Sequence, residues 1–140
     1  MRKGFTMIEL IFVIVILGVL ASVAIPRLAA TRDDAELSKA AANLTLAVRD
    51  IAGYYTAKGS FGAVSSMTNA LSSGKLKVKT KDCVTVATSG NDITVTFDST
   101  NSDTACTKLK DMPGIKDMCT EGTISNGCKI KVGGADGITW

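Results

Sequence analysis

Hydrophobic positions are distributed very unevenly along this chain. Residues 10–25, LIFVIVILGVLASVAI, are sixteen consecutive positions without a charge. Phe5 to Ile8 extend the run on one side and Leu28 onward on the other, with Glu9, Pro26 and Arg27 as the interruptions. About 20 residues rising 1.5 Å each match the hydrocarbon core of a bilayer, so the pattern predicts a membrane-crossing helix over residues 5–28. The helical signal continues past Pro26 in a different form. Leu37, Ala41, Leu44, Val48, Ile51 and Tyr55 recur at spacings of four and three, which predicts an amphipathic helix half over residues 29–58. Gly59 suits a C-terminal cap, and Lys58 suits the negative end of the helix dipole. A helix from Phe5 to Lys58 would be about 80 Å long. Residues 59–140 cannot cover that length, so the first half must be buried by lipid or by copies of itself.

From Gly59 onward the pattern shortens. Ser60 to Gly74 reads as a small-residue loop with a short helix at Met67–Leu71. Leu76–Lys79 alternates apolar and basic positions. Cys83–Thr88 and Asp92–Phe97 alternate well and are separated by Ser89-Gly90-Asn91, a hairpin signal. Lys129–Val132 reads as a further strand and Gly137–Trp140 as a last one. The fold class expected is α+β, a long N-terminal helix (transmembrane, then amphipathic) packed on a small antiparallel sheet in residues 59–140.

Composition changes the picture in three ways. The 16 Lys and Arg against 13 Asp and Glu give a charge of +3, too small an excess to mark a dedicated nucleic-acid binder. There is no His, which removes the commonest general base and metal ligand and any Ser-His or Cys-His dyad. With no nucleophile and base standing together, the chain reads as a non-enzyme without a cofactor. Asp98, Asp103, Asp111, Asp117, Glu121 and Asp136 are scattered acids rather than a spaced ligand loop, so no metal site is read. Four Cys, at 83, 106, 119 and 128, all lie outside the apolar segment. An even number in a polar domain reads as two disulfides formed in an oxidising compartment. Of three connectivities, Cys83–Cys106 with Cys119–Cys128 is favoured because both loops are short and sequential. Zinc is the competing reading, but no CxxC spacing supports it.

Arg2 and Lys3 precede the apolar run, which places the N-terminus on the cytoplasmic side and exports the remainder. An ordinary secretory signal cut near Ser22-Val23-Ala24 is one alternative, though Ile25-Pro26 would follow that cut. A plain membrane anchor is another, but there Glu9 would be a pure cost of ~2.5–3.5 kcal/mol.

Gly4-Phe5-Thr6-Met7-Ile8-Glu9, preceded by basic residues and followed by an apolar run with Pro26, resembles the leader signal of type IV pilins and type II secretion pseudopilins. The resemblance covers residues 1 to about 58. It implies that residues 1–4 are a leader, removed when a prepilin peptidase cuts between Gly4 and Phe5, and that the new amine of Phe5 is methylated. It also implies that Glu9 pairs with the N-terminal amine of a neighbouring subunit, and that an inner-membrane platform assembles the filament. The residue chemistry agrees. Gly4 leaves room for an enzyme backbone, and an ammonium offsets the cost of a carboxylate at the edge of lipid. Pro26 removes a backbone hydrogen bond and predicts a kink. By resemblance, Gly18 to Pro26 unwinds as the subunit leaves the bilayer.

Lys75, Lys77, Lys79 and Lys81 would put four cations on one side of a strand. The plain reading is an edge strand kept from aggregating by Lys. The functional reading is a stripe for an anionic partner such as DNA, without interleaved aromatics for base stacking. The function expected is a structural subunit of a type IV pilus-like homo-oligomeric filament, held in membrane lipid before assembly and found at the cell surface or in the periplasm afterwards. The alternatives are a pseudopilin of a protein secretion system and, from another class, a secreted, signal-cleaved binding module.

Overall fold

The computed structural model describes residues 4–98, 103–123 and 127–133. Helix α1 runs Met7–Lys58, 52 residues, with Pro26 inside it. The chain divides into two compact units, Met1–Ala35 and Glu36–Trp140.

In the first unit every described residue is exposed, including Phe12 at 66% and Leu20 at 62%. The hydroxyls of Ser22 and Thr31 donate to the carbonyls of Val19 and Leu28, at 2.7 and 2.9 Å. The helix thus satisfies its own small polar groups from within, as an apolar surrounding requires. It is the one described helix long and apolar enough to cross a membrane.

In the second unit the remainder of α1 packs on a four-stranded antiparallel sheet, ordered β1 (Lys75–Val78), β2 (Lys81–Ser89), β3 (Asp92–Phe97), β4 (Cys128–Lys131). This is the α+β class that the patterning predicts, in the pilin-like arrangement that the resemblance implies. Leu37, Leu44, Val48 and Ile51 of the expected stripe are buried, joined by Ala40 and Ala47, while Ala41 and Tyr55 are partly buried. They meet Leu76, Val78, Val84, Val86, Ile93 and Val95 in one core. Gly59 ends the helix at φ +72, its N–H donating to the Tyr55 carbonyl at 2.7 Å. The Tyr55 hydroxyl donates to Asn91 Oδ1 at 2.8 Å, tying the end of α1 to the β2–β3 turn. Thr68, buried, donates to Asp50 Oδ2 at 2.9 Å and holds the connecting loop on the helix.

Two expectations are corrected. The short helix lies earlier, as α2 (Val64–Met67), where Met67 is drawn into the core. Residues without an expected element form α3 (Thr104–Asp111) and α4 (Pro113–Lys116). Asp103 caps α3 by accepting from the Ala105 N–H at 3.0 Å. Leu109 and Ile115 then enter the core. The strand expected at Gly137–Trp140 lies outside the described residues.

Candidate assembly site

The residues singled out at the N-terminus form one small arrangement. Gly4, Phe5 and Thr6 are non-helical and exposed, so the Gly4–Phe5 bond stands just ahead of the first turn of α1. Phe5 is 90% exposed, and nothing lies within 4 Å of where a Gly4 side chain would begin. Glu9 is the third residue of α1. Its Oε2 accepts from the Thr6 backbone N–H at 2.9 Å and from the Thr6 hydroxyl at 2.7 Å. The Glu9 N–H returns a bond to Thr6 Oγ1 at 3.4 Å. This is a reciprocal capping box, in which two orphan donors at a helix start are satisfied by the residue pair itself. Sequence reasoning assigned Glu9 to a neighbouring subunit and overlooked Thr6. The signal was present: Thr6-x-x-Glu9 directly before an apolar run.

Further along, Gly18, Ser22 and Pro26 are spaced four apart and so share one face of the helix. Pro26 has no N–H for the Ser22 carbonyl, and Gly18 has no side-chain neighbour within 4 Å. The two weak helix formers expected to allow unwinding are therefore joined by a serine between them.

The lysines are not arranged as expected. Lys75 and Lys77 lie in β1, but Lys79 is in a turn at φ +57 and Lys81 opens β2. One strand carries two of the four. Those two flank Asp82, with Nζ to oxygen distances of 3.6 and 3.8 Å, which moderates the positive field of the edge. β1 is an edge strand, the position where Lys discourages pairing with another chain.

The four cysteines are joined as Cys83–Cys106 and Cys119–Cys128. The first ties α3 to β2. The second closes a loop on β4, whose arms also pair through Glu121 and Lys129. Lys131 Nζ lies 2.8 Å from Glu121 Oε1 and holds that carboxyl below the ordinary carboxylate range. Among the described residues no cluster of His, Cys, Asp and Glu is placed to hold a metal ion.

No curated protein and no solved structure matches the chain significantly. Residues 1–25 do match a known family description, the prokaryotic N-terminal methylation motif. An exposed Gly4–Phe5 bond, a carboxylate at the apolar start of α1, and that match together establish that the chain carries the prepilin-type cleavage and methylation signal of type IV pilins and pseudopilins.

Proposed function

We propose that the chain is a structural subunit of a type IV pilus-like filament. A prepilin peptidase cuts between Gly4 and Phe5, the Phe5 amine is methylated, and the subunit waits in the inner membrane with its N-terminus cytoplasmic. An assembly platform then transfers it into the filament, where Glu9 meets the Phe5 amine of another copy. The observation that carries this reading is an apolar helix start exposed on all sides and bearing one carboxylate within the matched motif. The capping box with Thr6 would serve any helix that starts here, but an ammonium on a second copy also converts the insertion cost of that carboxylate into a charge-assisted bond. The two disulfides favour an exported, oxidising final location.

N-terminal sequencing of the native protein tests the reading. Methylated Phe5 as first residue supports it; a start at Ile25 or beyond replaces it with a secreted, signal-cleaved module. Electron microscopy of sheared surface material then separates a surface pilus from the short periplasmic fibre of a pseudopilin.

A further inference from the structure

β4 is an outer strand of the sheet, and its outer edge carries a partner from the same chain. The Lys129 N–H donates to the Glu121 carbonyl at 2.9 Å. The Lys129 carbonyl accepts from the Thr120 and Glu121 N–H groups at 3.0 and 3.1 Å. The Lys131 N–H donates to Thr120 Oγ1 at 3.1 Å, and Lys131 Nζ lies 2.8 Å from Glu121 Oε1. Thr120 and Glu121 thus stand where a fifth strand would begin. Cys119 is bridged to Cys128, the first residue of β4, so a covalent tie holds the segment there. We propose that the β4 edge is a docking surface for an extended acidic peptide strand, whose place Thr120 and Glu121 fill while the Cys119–Cys128 bridge is closed. The proposal makes no use of the filament reading.

Backbone groups at a sheet edge pair with any extended segment, so side chains decide which one. Lys129 and Lys131 are two apart in β4 and share one face of the sheet, both exposed. A carboxylate opposite them is favoured, and an ammonium is disfavoured. Glu121 shows the preference, because Lys131 and Lys129 both favour its charged form. Yet the resident segment is a partial mimic of a strand. It meets the Lys131 N–H with the Thr120 hydroxyl, where a full strand would offer a backbone carbonyl. Glu121 is followed by Gly122 at φ +80, where a side chain would collide with the Gly127 carbonyl oxygen.

The bridge decides between the two occupants. While it is closed, the tethered segment competes at high effective concentration. A dithiol reductant passes two electrons and two protons to the bridge, becoming a disulfide itself and leaving two thiols. The segment is then held by its hydrogen bonds and ion pair alone, and an outside strand no longer pays for a rarely open edge.

Binding of labelled peptides to the full chain in detergent tests this, with Thr-Glu-Thr-Glu-Thr-Glu as probe and Thr-Lys-Thr-Lys-Thr-Lys as control. The Cys119→Ser/Cys128→Ser double variant should bind the acidic probe at least about tenfold more tightly than the oxidised wild type does. The lysine control should not bind, and the acidic probe should slow amide exchange at Lys129 and Lys131. Equal binding by both proteins, no binding by the variant, or equal binding of the control would overturn the proposal. So would binding that leaves those two amides unprotected. Fast exchange at Ile93 and Val95 would show that the double variant has lost its sheet. Gly122→Ala then takes its place, since it keeps the bridge and pushes the segment off the edge. No gain in probe binding by Gly122→Ala would overturn the proposal equally.

Discussion

Glu9 Oε2 accepts two hydrogen bonds from Thr6, one from its backbone N–H and one from its hydroxyl. The carboxylate proposed to meet a neighbour is therefore already held at the start of its own helix. Substitutions separate the two duties. Gln is accepted in a capping box, so Glu9→Gln keeps the cap but cannot pair with an ammonium. Glu9→Leu loses both. Each variant should be cleaved and stay in the membrane, with filament yield sharply reduced in both. Normal filaments from Glu9→Gln would show that the negative charge is dispensable.

Leu44 and Ile51 are fully buried between α1 and the sheet. A fragment beginning at residue 29 should fold and be monomeric by light scattering. Within it, Leu44→Ala or Ile51→Ala should lower the unfolding free energy by ~2–5 kcal/mol in urea titrations, the usual loss for a large core side chain. A change below about 1 kcal/mol would mean that the helix is not seated on the sheet as described.

Cys119–Cys128 closes its loop against β4, where the Thr120 N–H and hydroxyl both donate to the Lys129 carbonyl. Replacing both cysteines by Ser should cost ~2–4 kcal/mol and leave the membrane helix in place. Faster amide exchange at Lys129 and Lys131 is the local readout. Identical mobility of the native protein on reducing and non-reducing gels would argue against both bridges.

The Glu121–Lys131 pair predicts a pH dependence. Its folded carboxyl titrates below the ordinary carboxylate range because Lys131 bonds and attracts the charged form. The contribution is complete above the unfolded carboxylate value of about 4.3 and is lost as pH falls through the depressed folded value. Side-chain NMR titration of Glu121 should show this, and Lys131→Met should return the midpoint toward the ordinary value.

Elements whose pattern was uninterrupted were legible in the sequence: the apolar run, the stripe from Leu37 to Tyr55, and the hairpin around Gly90. The disulfide pairing chosen from loop length is the one the structure contains. The lysine stripe failed for a physical reason. The chain reverses at Lys79-Thr80, with Lys79 left-handed, and no Gly, Asn or Pro marks the turn, so alternation seemed to continue across it. Helix α3 is short and only partly apolar, yet Asp103 before it and Pro113 after it were stop and start signals that went unread. The capping box was overlooked because Glu9 already had a role assigned to it.

The exposed start of α1 has a consequence for how such a protein lives. A rod that is oily on every side has no interval in which water is a tolerable neighbour. On the filament reading proposed above, its handover from lipid to sibling chains must be a direct exchange at the bilayer, each turn being wrapped by the fibre as the fatty acids let it go. On that reading a pool of free subunits in the aqueous space is forbidden, and growth is confined to the base.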